Sequence, residues 1–180
     1  MRIAIQGEIG SFHEAAAKQW FGDGCHIVPQ ETFMGVFEAL RTGDAEAAVV
    51  AIENSNYGPI AESLQLLKAY NYPVIGEVSL PVHQQLIALP GATLATISCV
   101  YSHPVALGQS SEFLDAHLPH IKRTEYFDTA AAVRYIKDLG DPTCAAIASQ
   151  GAAAIYQLPI LATNIETDKT NVTRFAVLQP

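Results

Sequence analysis

Apolar and polar positions follow two rhythms along this 180-residue chain. Short apolar runs such as Ile3-Ala4-Ile5 and Ala47 to Ile52 have the length of buried strands, and between them apolar residues recur three and four apart, as on one face of a helix. The first strand is expected over residues 2–6. Ser11 followed by Glu14 has the spacing of a capping box, which starts a helix at Ser11 that stops near Gly22. A strand near Cys25 to Val28 follows, then a helix from Thr32 that shows Phe33, Val36, Phe37 and Leu40 on one face and closes at Gly43. Ala47 to Ile52 is the third strand, and Ile60, Leu64, Leu67 and Lys68 mark a helix that ends before Pro73.

Val74 to Leu89 is a long apolar stretch interrupted by Pro81, read as a strand that leaves one sheet and continues toward another. Strand 97–101 comes next, and His103-Pro104 opens a helix with proline in its first turn, where the missing N–H costs nothing. Strand 121–126, helix 129–139, strand 144–148, helix 150–157 and strand 160–163 complete the second half. A last strand, Thr173 to Leu178, can return to the first half.

A weak internal repeat at an offset of 97 organises these elements. Glu31-Thr32 recurs as Asp128-Thr129, Val36 as Val133, Gly43-Asp44 as Gly140-Asp141, Ala48 as Ala145 and Ala51 as Ala148. Common descent would explain it, and so would the punctuation that any two strand-helix-strand units share. Either origin predicts an α/β fold of two similar βαβ lobes joined by two crossing segments, lobe one over 1–76 plus 168–180 and lobe two over 77–167. Ligands in such sheets bind at the carboxyl ends of strands, which here points to a cleft between the lobes.

Composition narrows the function classes. Hydrophobic residues make up 49% and charged residues 16%, which excludes a disordered tail. A chain of this length buries roughly 70% of its unfolded surface without a disulfide or metal staple. Ten Lys and Arg against 18 Asp and Glu give a net charge of −8, with the basic residues scattered, which argues against nucleic-acid binding. Any acidic ligand must therefore be held locally. Cys25, Cys99 and Cys144 are odd in number and lie in or beside apolar runs, as buried free thiols of a reducing compartment would. The start Met1-Arg2-Ile3 is too short for a signal-peptide core and no run is long enough to cross a bilayer, so a cytoplasmic protein without membrane contact is expected.

Four polar segments that flank strands could carry chemistry. Gly7-Glu8-Ile9-Gly10-Ser11 is either a plain capped turn or an anion site at a helix N-terminus; it lacks the third glycine of a dinucleotide fingerprint and the Gly-Lys of a P-loop. Glu53-Asn54-Ser55-Asn56-Tyr57-Gly58 ends a strongly apolar strand in three hydrogen-bonding side chains, and a turn alone explains the Asn and Gly but not the Glu. His103-Pro104 with Gln109 opens the first helix of lobe two, where a histidine cap is the plainer explanation. In Asn171-Val172-Thr173-Arg174-Phe175, alternation puts Thr173 and Phe175 on one face and Arg174 on the other, and spacing alone favours a structural salt bridge for Arg174 over a ligand contact. His117 and His120 flank Pro119, and no His or Cys pair has metal-ligand spacing.

In order and approximate spacing, Gly7-x-x-Gly10-Ser11-Phe12-x-x-Ala15-Ala16, Ile52-Glu53-Asn54-Ser55-x-x-Gly58, Ser102-His103-Pro104-x-Ala106-Leu107-x-Gln109 and Asn171-x-Thr173-Arg174-Phe175 resemble the catalytic domain of prephenate dehydratase over essentially the whole chain. The resemblance implies a fold like the type II periplasmic binding proteins with the site between the lobes. It also implies conversion of prephenate to phenylpyruvate, water and carbon dioxide in phenylalanine biosynthesis, with no metal or organic cofactor, and a homodimer. It assigns Thr173 to assist the leaving hydroxyl, Asn54 and Gln109 as catalytic amides, Ser11, Ser55, Asn171 and Arg174 as substrate contacts, and Phe175 as an apolar wall. An arogenate dehydratase, or a binding module of the same fold, are the alternatives.

The sequence departs from that family in four places. Gln84 stands where a histidine is frequent, with His83 one place early, and is taken as a further substrate contact. Ser110 stands for a frequent Cys and Ala51 for a frequent Pro, both read as packing changes. Relatives often continue into a regulatory ACT domain, whereas this sequence stops at Pro180, so a catalytic unit without that domain is expected.

Overall fold

The computed structural model describes residues 1–180. In chain order the elements are β1 (Arg2–Gln6), α1 (Phe12–Phe21), β2 (His26–Gln30), α2 (Phe33–Thr42), β3 (Ala47–Asn54), β4 (Gly58–Pro59), α3 (Ala61–Tyr70) and β5 (Val74–Pro81). They continue with β6 (Gln85–Ala88), β7 (Cys99–Ser102), α4 (Pro104–Gln109), α5 (Ser111–His117), β8 (Lys122–Glu125), α6 (Thr129–Leu139), β9 (Cys144–Ala148), α7 (Gln150–Tyr156), β10 (Ile160–Ala162) and β11 (Val172–Leu178). Met1–Val82 and Thr170–Pro180 form one unit and His83–Lys169 a second.

The first unit is built on a sheet of order β2-β1-β3-β11-β5. β1 is parallel to β2 and β3, while β11 is antiparallel to β3 and β5. Period-two alternation divides the core: Ala4, Ala48 and Val50 face Val36, Phe37 and Leu40 of α2, and Ile3, Ile5, Val49 and Phe175 face Ala16 and Ala17 of α1. Because both faces are covered, β3 is apolar almost throughout. Pro29 falls on edge strand β2, where its missing N–H costs little.

The second unit repeats the plan with the sheet order β10-β6-β9-β7-β8. Strand order β8-β7-β9-β6 matches β2-β1-β3-β11 of the first unit, including the antiparallel fourth strand. β7 and β9 begin 97 residues after β1 and β3, and α2 and α6 both end at a left-handed glycine, Gly43 and Gly140. The repeat read from sequence is therefore a repeat of topology.

Several boundaries differ from the pattern. The stretch 74–89 is two strands, broken at Val82-His83-Gln84, and the division between units falls there instead of at 76/77 because β5 pairs with β11 as far as Pro81. On the return the division falls at Lys169/Thr170 instead of 167/168. The helix after His103 is two helices that meet at Ser110, and the short strand β4, which pairs with β3, had no apolar signal. Ser11 caps α1 as expected, its Oγ accepting the Glu14 N–H at 3.3 Å, but the Glu14 carboxylate accepts from the Gly10 N–H; the Ser11 N–H is used by Glu8 O at 3.1 Å.

Candidate active site

β3 runs two residues beyond its apolar pattern because β11 pairs with it there, Arg174 opposite Glu53 and Thr173 opposite Asn54. This pairing gathers Asn54, Ser55, Asn171 and Thr173 at the end of the strand. Asn54, itself buried, accepts the N–H groups of Asn56 and Tyr57 on Oδ1 at 3.0 and 3.2 Å. Its Nδ2 then donates to Asn171 Oδ1 at 2.7 Å and to Thr173 Oγ1 at 2.9 Å. With both ends of the amide so fixed, Thr173 accepts from Asn54, and its own hydroxyl hydrogen is not needed for that bond. Ser55 is tied to the same strand: its Oγ accepts the Val172 N–H at 2.9 Å and its N–H donates to Val172 O at 2.9 Å. Asn171 Nδ2 is buried and has no partner.

Arg174 leaves the other face of β11. Its guanidinium is shared between Glu53 at 2.5 Å and Glu77 at 3.2 Å and is nearly half exposed, which is the salt-bridge arrangement favoured by its spacing. Glu53, prominent in the motif, thus has a partner that its position alone did not reveal. Phe175 is 1% exposed and packs in the core, with its ring edge-on to His13 at 5.1 Å between centroids. The register between β11 and β3 shifts here, Arg174 lying opposite Glu53 and Phe175 opposite Ala51, so Ile52 is the extra residue of a bulge in β3.

Ser11 is buried at the start of α1, and the protein supplies an anion there itself. The buried Glu14 carboxylate binds the Gly10 N–H on one oxygen and Lys18 Nζ at 2.7 Å on the other, and this hydrogen bond raises the proton affinity of Lys18. His13, on the next turn position, accepts the Ala51 N–H on Nε2 at 3.1 Å, and burial lowers its pKa to about 4. Ala51 is therefore more than a packing change, since it provides an N–H that proline lacks.

In the second unit Gln84 Nε2 donates to Gln109 Oε1 at 3.0 Å, and both residues are buried. The bond fixes the Gln109 amide with its Nε2 as the remaining donor. Gln84 is anchored through its backbone, the N–H donating to Glu166 Oε2 at 2.7 Å and the carbonyl accepting from Ile165 at 2.8 Å. Glu166 is 1% exposed and also receives His83 Nδ1 at 3.0 Å. Burial would raise its pKa, but the His83 and Gln84 hydrogen bonds outweigh it and the group stays below the ordinary carboxylate value. No motif pointed to Glu166 or to His13. His103 caps α4, its Nδ1 accepting the Val105 N–H at 3.2 Å, and burial lowers its proton affinity.

Comparison with known proteins places the chain in a family. Residues 3–180 match the family described as prephenate dehydratase. Arogenate dehydratase 4, chloroplastic, of Arabidopsis thaliana is 43% identical over 99% of this chain, which spans 42% of that protein's length. The structure of a prephenate dehydratase from Arthrobacter aurescens in complex with L-Phe superposes with a TM-score of 0.91 at 30% identity, covering 100% of this chain and 61% of that one. A structure described as GqqA, a novel type of quorum quenching acylase, gives 0.88 at 32% identity, covering 99% and 64%. At the level of fold alone, a periplasmic substrate-binding protein from Coxiella burnetii gives 0.53 at 15% identity, covering 99% and 84%.

Proposed function

The chain belongs to the prephenate dehydratase family of carbon–oxygen lyases, and from that premise we propose that it converts prephenate to phenylpyruvate, water and carbon dioxide. In this reaction the electron pair of the bond to the departing carboxylate moves into the ring. The ring hydroxyl leaves from the opposite carbon with its own bonding pair and takes up a proton, and the ring becomes aromatic. Help is needed in two places, at the departing oxygen and in holding the dianion in its reactive pose.

The observation that carries this reading is the Asn54–Thr173 hydrogen bond at 2.9 Å. An alcohol is a poor acid near neutral pH, so Thr173 acts as an oriented hydrogen-bond donor to the leaving hydroxyl. Donation from Asn54 polarises that O–H and prevents it from turning inward. Gln109 supplies a second amide donor, aimed by Gln84. Ser11, Ser55 and the unpartnered Asn171 Nδ2 serve the carboxylates. Arg174 reaches a carboxylate only by exchanging Glu53 or Glu77 for it, and Phe175 supports the site from the core.

A second substrate is favoured by the name of the 43% identical relative. Arogenate carries an ammonium in place of the keto group and has the same leaving hydroxyl, so the Thr173 chemistry serves both. The test is to incubate the purified chain with prephenate, and separately with arogenate, at mildly basic pH where spontaneous breakdown is slow. Phenylpyruvate forming well above the buffer control, and faster than phenylalanine forms from arogenate, is expected. The reverse order assigns the chain to arogenate, and binding without turnover of either makes it a binding module. We further propose a homodimer, to be read by sedimentation, and a cytoplasmic setting, which the free thiols Cys25, Cys99 and Cys144 suit.

A further inference from the structure

β1 pairs with β3 only as far as Val49, so two residues later both backbone groups of Ala51 must find other partners. Two side chains from different helices take them. His13 Nε2 of α1 accepts the N–H at 3.1 Å, and Ser63 Oγ of α3, fully buried, donates to the carbonyl at 2.5 Å. The imidazole is held from two further sides, edge-on to Phe175 at 5.1 Å and to Phe33 at 5.8 Å. Phe175 lies two residues beyond Thr173 on β11, and Ala51 lies three before Asn54 on β3. One ring thus touches both strands just before they present the donor pair.

We propose that His13 is a positioning residue, whose neutral imidazole accepts the Ala51 N–H and packs on Phe175 and so fixes the ends of β3 and β11 at the spacing that lets Asn54 donate to Thr173. An acceptor is required at Nε2, which places the ring proton on Nδ1. Burial keeps the ring neutral and so keeps that lone pair free. A protonated ring would meet the Ala51 N–H with a second N–H and push the strand away.

The inference rests on the dehydratase reading for its catalytic consequence and not for its geometry, so two readouts are needed. His13→Leu removes the acceptor and His13→Gln keeps one. In His13→Leu the Ala51 amide is expected to exchange with solvent at least tenfold faster than in the wild type, and in His13→Gln it stays protected. With prephenate or arogenate, whichever the wild type turns over, kcat falls about tenfold in His13→Leu with KM within twofold, and His13→Gln recovers most of it. Ala51→Pro, which has no N–H, makes the Leu and Gln variants equal in kcat. Unchanged Ala51 exchange in His13→Leu, or equal losses of kcat in Leu and Gln with Ala51 intact, overturns the proposal. If His13→Leu fails to fold, His13→Asn, whose shorter amide does not reach the Ala51 N–H, takes its place in both measurements. A wild type without turnover defeats the dehydratase reading instead, and the exchange result still stands.

Discussion

Asn54 donates a hydrogen bond from Nδ2 to Thr173 Oγ1 at 2.9 Å, from an amide whose oxygen is held by the N–H groups of Asn56 and Tyr57. The direction of that bond decides what Thr173 can do. Its oxygen accepts, so its hydrogen is available to an acceptor other than Asn54.

Thr173→Ala removes that donor, and kcat is expected to fall by about 10²- to 10⁴-fold with little change in KM, the signature of a group used in the transition state. Thr173→Ser keeps the hydroxyl and most of the rate. Steady-state kinetics with prephenate measure both, and an unchanged kcat in the Ala variant removes Thr173 from its role.

Asn54→Asp retains the acceptor for Asn56 and Tyr57 but turns the donor toward Thr173 into an acceptor. Thr173 then spends its hydrogen on the carboxylate. A loss of about 10²-fold or more in kcat is expected, as on removal of a donor that serves a developing charge, together with a lower Tm, because the buried carboxylate also faces Asn171 Oδ1, which Asn54 Nδ2 reaches at 2.7 Å. Kinetics and thermal melting of the same preparation separate the two effects.

Gln84→Leu leaves Gln109 Oε1 unpartnered and its amide free to turn, and kcat/KM is expected to fall by roughly tenfold, the cost of about 1.4 kcal/mol in transition-state binding. Gln84→His can place a ring N–H near the same oxygen and retains more activity. Equal losses in both variants would detach Gln84 from the orientation of Gln109.

Stability should depend on pH through His13. Burial lowers its pKa from 6.5 to about 4, so between those values the unfolded chain binds a proton that the folded chain does not. Stability therefore rises as pH rises through that window and is lost as pH falls through it. Urea unfolding from pH 4 to 7 measures the slope, and His13→Gln flattens it.

Gly76 on β5 lies beneath the ring of Trp20, and a Cβ there would stand 2.1 Å from Cη2. Gly76→Ala is expected to cost about 1 to 3 kcal/mol, the usual penalty of overpacking. Trp20→Leu in the same chain should recover most of it, as read from the midpoint of urea unfolding.

Elements whose causes are local are legible in the amino-acid order. Ser11, Thr32 and Asp128 each cap the helix their spacing announced, and the apolar runs 2–6, 47–52 and 144–148 became central strands. The offset of 97 carried the duplicated topology because each half must alternate strands and helices in the same way to cover its sheet. The motifs also identified the residues that meet at the end of β3.

How those residues are connected follows from contacts between distant parts of the chain. Asn54 and Thr173 are 119 positions apart, and no local rule says that β11 inserts between β3 and β5 and extends β3 by two polar residues. The partners of Arg174 come from two different strands, β3 and β5, so spacing could propose a salt bridge without naming Glu53 and Glu77. His13 and Glu166 stand among ordinary helical and loop residues in sequence. They matter because folding leaves the backbone N–H groups of Ala51 and Gln84 to side-chain acceptors, and a buried donor without an acceptor is too costly to leave unpaired. The net charge of −8 said that an acidic ligand must be held locally. Which hydrogen-bond donors remain free to hold it depends on which are already used by the protein's own carboxylates and amides, and that follows from contacts made across the chain.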